Sequence, residues 1–208
     1  MFEKKLTAAV EKLSETGINL ADAVFAFAWG DRLFITKQGF NLSKTDDKSL
    51  IELKRDNIGE NELNALSEEG RAAISILKKK KNVGAVIFTA PEYAALAAEG
   101  KRSIPPILDD MAQIVGTSLP FAETGREAGK INAFRCCVLT VRGLFATART
   151  TEEAVTATLV AEKSARCYIK AKALGGAKRI PRWHAVLMHI VYKIKYSKKN
   201  IERQKEGE

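Results

Sequence analysis

Residues 83–89 (Val-Gly-Ala-Val-Ile-Phe-Thr) form a compact apolar run, and no other stretch constrains the fold of this chain as strongly. A run this short, bounded by lysines on one side and a proline on the other, reads as a buried strand rather than a helix. Amphipathic segments lie on both sides of it. Upstream, 67–79 has Ala73, Ile74 and Leu77 at helical spacing and runs into Lys78, Lys79, Lys80 and Lys81. Four cations there complement the negative end of a helix dipole. Downstream, Thr89-Ala90-Pro91-Glu92 has the spacing of a capping box with proline at the first helical position, opening a short helix to about Ala98.

The remaining elements alternate in kind. Residues 2–16 carry Phe2, Leu6, Ala9, Val10 and Leu13 on one stripe and read as a helix ending near Gly17. Residues 23–28 and 32–36 are apolar runs joined at Trp29-Gly30-Asp31, the pattern of a β-hairpin. Residues 40–62 read as polar loop. A short helix is expected over 108–115, with strands over 119–121, 133–141 and 144–148, the last two hinged at Arg142-Gly143. Thr150-Thr151-Glu152-Glu153 offers a second capping box and opens a long helix closing at Leu174-Gly175-Gly176. Trp183, Val186, Leu187, Ile190, Val191 and Ile194 make a continuous helical stripe, and the segment after Tyr196 is expected to fray. The pattern predicts an α/β fold, a sheet flanked by helices, in a single domain over 1–196 with a basic polar tail over 197–208.

The 208 residues are 46% hydrophobic and 28% charged, a globular composition. Three cysteines without metal-type spacing suit a reducing compartment. The charged start lacks an apolar signal core and no long apolar span follows, so the expectation is a cytoplasmic protein. The net charge of +9 is uneven. Residues 1–169 hold 23 Lys/Arg and 22 Asp/Glu, whereas 170–208 hold 11 Lys/Arg and three Glu, a local net of +8. Such an end can meet nucleic acid or an anionic membrane surface, but more often it is a solvated helix face.

The residues alone name no activity. His184 and His189, on one helix, point about 140° apart and cannot chelate one ion together. Cys136 and Cys137 are neighbours in an expected strand, so their side chains should face opposite sides of the sheet. Neither a P-loop, a dinucleotide fingerprint nor a nucleophile elbow is present. Thr36-Lys37-Gln38-Gly39 and the helix-heading Ser67 have the chemistry of an anion cradle, and also that of an ordinary turn and N-cap.

Segment order nevertheless resembles the class II aldolase/adducin family, of the L-fuculose-phosphate-aldolase type, from about residue 6 to 176. Gly30-Asp31-Arg32-Leu33-Phe34-Ile35-Thr36-Lys37-Gln38-Gly39 is similar to the family's G-D-R-x-L-I-T-P-S-G hairpin, and Asn82-Val83-Gly84-Ala85-Val86-Ile87-Phe88-Thr89-Ala90 to its D-V-G-A-V-V-H-T-H strand. Pro105-Pro106-Ile107-Leu108 is similar to I-P-P-L, Arg142-Gly143-Leu144-Phe145 to H-G-L-L, and Arg149-Thr150-Thr151-Glu152-Glu153-Ala154 to R-T-L-E-E-A. The resemblance implies a three-layer αβα fold, a largely antiparallel sheet and a ring-shaped homotetramer.

It also implies a zinc site, which this chain lacks the residues for. The family's three histidines fall at Phe88, Ala90 and Arg142; two of these have no donor and the third is a permanent cation. The phosphate-binding G-N falls at Ala23-Val24. Thr36, Lys37 and Gly39 occupy the second phosphate loop, Ser67-Glu68-Glu69 aligns with S-S-E, and Glu69 thereby takes the catalytic carboxylate position. Residues 123–133 are shorter than the family's usual helix. The expectation is a degenerate member without metal or other cofactor, a binding or structural protein with Thr36, Lys37, Gly39, Ser67 and Arg142 around a small anionic ligand. The alternatives are an active sugar-phosphate lyase, using an unrecognised metal site or metal-free Glu69 chemistry with Arg142 as electrophile, and nucleic-acid or membrane binding by the C-terminus.

Overall fold

A computed structural model describes residues 2–39 and 49–206. Six strands, β1 (Val24–Trp29), β2 (Arg32–Thr36), β3 (Leu50–Lys54), β4 (Ala85–Thr89), β5 (Cys137–Thr140) and β6 (Gly143–Ala148), form one sheet in the order β3-β2-β1-β4-β6-β5. Every neighbouring pair is antiparallel. The apolar run over 83–89 supplies β4, central in the sheet and buried at all five positions. The helices are α1 (Phe2–Glu15), α2 (Glu60–Asn64), α3 (Glu68–Lys79), α4 (Glu92–Glu99), α5 (Glu127–Lys130), α6 (Thr151–Ala173) and α7 (Arg182–Glu206).

Alternation along the strands sorts the core into two faces. Val24, Ala26, Leu33, Ile35, Val86, Phe88, Val138 and Phe145 pack with Ala73, Ile74 and Leu77 of α3. On the other face, Phe25, Phe27 and Ile87 meet Leu6, Val10 and Leu13 of α1, while Leu139, Leu144 and Ala146 meet Ala94 of α4 and Ala157 and Ala161 of α6. The result is the expected three-layer αβα arrangement.

Several local expectations need correction. The stretch 40–62 is not all loop: β3 lies within it and α2 begins in it, while 40–48 falls outside the described residues. β3 is an edge strand with one buried residue, Leu53, and α2 buries none, so neither shows an apolar period. Residues 119–121 make only single bridges, Leu119 to Ile104 and Phe121 to Leu139, and the strand expected over 133–141 shortens to β5. Residues 108–115 hold a π-helical turn, Met111–Val115. The helix that carries the apolar stripe, α7, runs on past Tyr196 to Glu206.

The first capping box does not form. Pro91 is itself the N-cap of α4, and the orphan amides of Tyr93 and Ala94 donate instead to the Glu162 carboxylate of α6, at 2.9 and 2.8 Å. Burial pushes the Glu162 carboxyl up, and those two amides pull it back. Thr89 is left with its Oγ1 fully buried and without a partner. A stranded hydroxyl costs about 1–3 kcal/mol. Thr89→Val, which keeps the shape and removes the hydroxyl, should therefore stabilise the fold by about 1 kcal/mol in urea titration; a loss of stability would show that the hydroxyl has a partner. The second box forms in part: Thr150 caps α6 by accepting from Glu153 N at 3.2 Å, whereas the Glu153 carboxylate turns to Arg149 N.

α7 packs on the body through Ala185 and His189. The imidazole is 1% exposed, with Nδ1 2.7 Å from Gln113 O and Nε2 2.9 Å from Ala133 O. Burial foremost, then the Lys193 ammonium, lowers the His189 pKa against the pull of those carbonyls. The apolar stripe of the same helix points away: Trp183, Leu187, Ile190, Val191 and Ile194 are 40–71% exposed. Among the described residues no helix is long and apolar enough to cross a membrane.

Candidate functional site

Four strand termini meet at one end of the sheet. β2 ends there at Thr36, β1 begins at Val24, β4 ends at Thr89 and β6 begins at Gly143, with Val24 opposite Phe88 and Thr89 opposite Leu144. The N-terminus of α3 closes the same end. Hairpin pairing and the tight β5–β6 turn thus bring Ser67, Glu69, Phe88 and Arg142 into one neighbourhood from distant parts of the chain.

Each of these side chains is already engaged. The Thr36 hydroxyl is buried and accepts from Phe25 N at 3.1 Å. Ser67 is the N-cap of α3, its Oγ accepting from Gly70 N at 3.0 Å. Gly39 has φ +67°, which a residue without Cβ adopts freely, and Lys37 beside it is exposed. Arg142 spans two consecutive carboxylates of α3: Nη1 lies 2.9 Å from Glu68 Oε2, and Nε pairs with Glu69 Oε1. The Glu69 side chain is 7% exposed and the Arg142 side chain 56%, so the pair seals a buried carboxylate under a guanidinium that still meets solvent.

Phe88 is 2% exposed, and its ring packs at a tilt of 47° against Phe145, the cross-strand partner in β6, with centroids 4.8 Å apart. Phe88, Ala90 and Arg142 offer a metal ion no lone pair: a packed ring, a methyl and a cation. Among the described residues there is also no group of three His, Cys, Asp or Glu placed to hold one. At the three positions that the family resemblance assigns to the zinc ligands, this chain has no zinc donor side chain.

Arg142 pairs with the α3 carboxylates while more than half of its side chain stays in solvent. The pairing of Glu68 with Arg142 was not foreseen from sequence, because the two residues lie 74 positions apart. Also missed were Lys193 and Arg149, which line a separate cavity at the opposite end of the sheet.

A six-stranded antiparallel sheet between helical layers, with its candidate residues at the end of the central strand, is the class II aldolase fold. An L-fuculose 1-phosphate aldolase superposes with a TM-score of 0.80 at 19% identity, over 92% of this chain and 95% of that one. The L-fuculose-1-phosphate aldolase of Thermus thermophilus gives 0.69 at 17% identity over 84% and 97%, and a sugar-phosphate aldolase of Thermotoga maritima 0.61 at 14% over 87% and 99%. Among curated proteins, none matches the sequence. Residues 15–169 match the model of the class II aldolase and adducin N-terminal domain, and the chain belongs to that family.

Proposed function

We propose that this protein keeps the class II aldolase scaffold without its metal-dependent chemistry and serves as a binding or structural protein. The observation that carries this reading is the Arg142–Glu69 pair. In the family pattern one position supplies a zinc ligand and the other the acid/base carboxylate; here they neutralise each other. A carboxylate without a metal beside it has no acidified C–H to deprotonate.

Lys37, Gly39 and the head of α3 remain as a cradle for a small anion of sugar-phosphate type. Recruiting Arg142 to that anion requires drawing it off Glu68 and Glu69, so phosphate binding and opening of the pair are linked. The exposed stripe of α7 supports a homo-oligomer, with a tetramer as the expected form, because an apolar face of this size is more stable covered than wet.

Tag-free protein incubated with zinc and then dialysed exhaustively should retain close to none, should leave L-fuculose 1-phosphate uncleaved, and should scatter light as more than one chain per particle. Stoichiometric zinc would return aldol chemistry to the lead. Cleavage without metal that is abolished by Glu69→Gln would instead establish the metal-free lyase. Salt-sensitive binding to duplex DNA or anionic vesicles, lost on removal of residues 197–208, would move the function to the tail.

A further inference from the structure

The end of the sheet away from Arg142 carries a cavity of about 460 Å³, lined by Cys136 together with Lys80, Arg149, Lys193 and Glu153. Cys136 does not obey the alternation expected of a strand. It stands just before β5, its amide donating to Val115 O at 3.1 Å, and this places its Sγ 3.7 Å from the Sγ of Cys137. Both thiols are free, Cys136 partly exposed and Cys137 buried. The two Sγ atoms sit beside backbone carbonyls, Cys136 at 3.2 Å from Ile114 O and Cys137 at 3.7 Å from Ala157 O.

The separation has chemical meaning. Two sulfurs held at about 2.3 Å on one soft ion, with a tetrahedral angle, stand about 3.8 Å apart, and somewhat closer at a pyramidal centre. A disulfide needs about 2.05 Å, and its α-carbons normally stand at least about 4.4 Å apart, whereas neighbours in a chain are fixed at about 3.8 Å. The pair is therefore set to chelate with little movement and set poorly to oxidise.

We infer that Cys136 and Cys137 form a bidentate site for a trivalent thiophilic metalloid, an arsenous hydroxide or a monosubstituted arsenical, that enters through this cavity. Three cations against one carboxylate give the lining a positive balance, which opposes a bare divalent cation. No third His, Cys, Asp or Glu donor completes the site among the described residues, so four-coordinate ions are poorly served. A neutral three-coordinate metalloid meets neither obstacle. The exchange is As(OH)3 + 2 RSH → (RS)2AsOH + 2 H2O: two As–O bonds break, two As–S bonds form, both thiol protons leave in water, and no element changes oxidation state. No charge is left in the interior, which suits Cys137, whose thiol burial pushes up. The third substituent on arsenic projects into the cavity, which has room for a phenyl ring.

The test is the reduced full-length chain with phenylarsine oxide, read by intact mass. One phenylarsenic group per chain, with one water lost, is expected on wild type and on Cys167→Ser. Cys136→Ser and Cys137→Ala, each checked for native circular dichroism, should lose it. The serine keeps a hydroxyl donor for Ile114 O, so that variant has little reason to misfold. Absence of the adduct on folded wild type would overturn the inference, as would an adduct that survives Cys136→Ser. Cadmium, tested as the chloride, should bind at least tenfold more weakly than the arsenical; tight stoichiometric binding would overturn the assignment to a neutral metalloid.

Discussion

Gly143→Ala should cost about 3–5 kcal/mol and lower the melting temperature by about 10 °C or more. A Cβ at this position would lie 2.3 Å from Thr89 O and 2.9 Å from Phe88 Cζ, at φ +154°. The carbonyl belongs to the central strand and cannot retreat without breaking the β4–β6 ladder. Two controls divide the effect. Gly125→Ala has left-handed backbone, φ +80°, and open space, so it should show strain alone, about 1 kcal/mol. Gly129→Ala, in α5 with nothing within 4 Å, should be neutral or slightly stabilising. If Gly143→Ala falls no further than Gly125→Ala, the close approach of the β5–β6 turn to β4 is wrong, and with it the placement of Arg142. The close approach of Thr89 O thus demands glycine at position 143 whatever residue precedes it.

How much of this was legible in sequence depended on whether a residue's role is local. β4 and the β1–β2 hairpin announce themselves because their apolar pattern and their burial coincide. β3 escaped because an edge strand with a single buried side chain has no period to detect. α7 misled in a more instructive way: its apolar stripe predicts a helix correctly, but the side that docks is Ala185 and His189, too small and too polar to register as a stripe. At the site, the resemblance aligned Glu69, Phe88 and Arg142, whereas periodicity and spacing could not. The partnership of Arg142 with Glu68 and Glu69 is a tertiary fact that follows from the β5–β6 turn folding back over the head of α3. Cys136 and Cys137 were misassigned to opposite faces because strict alternation holds only inside the ladder, and Cys136 lies one residue outside it.

Arg142→Met should destabilise the protein by about 2–3 kcal/mol, and most of that should return when Glu69→Gln is added. Glu69 is the reason. Its carboxylate is buried with a guanidinium lying against it, and removing the cation strands the charge. The full cost of breaking a buried pair, about 3–5 kcal/mol, is reduced here because Arg142 itself remains half in solvent. Glu68 makes the useful contrast. Its side chain is 41% exposed, so its bond to the same arginine should be worth about 0–1 kcal/mol and Glu68→Gln should barely register. Two double-mutant cycles in urea, Arg142→Met with each glutamate replaced by glutamine, separate the contributions, provided the m-value is unchanged. A coupling of about 1.5 kcal/mol or more to Glu69 would mark Arg142 as a structural lock on a carboxylate that no longer does chemistry. A coupling below about 0.5 kcal/mol would leave Glu69 free to act as a base, and the metal-free lyase would gain the ground that the ion pair now holds against it.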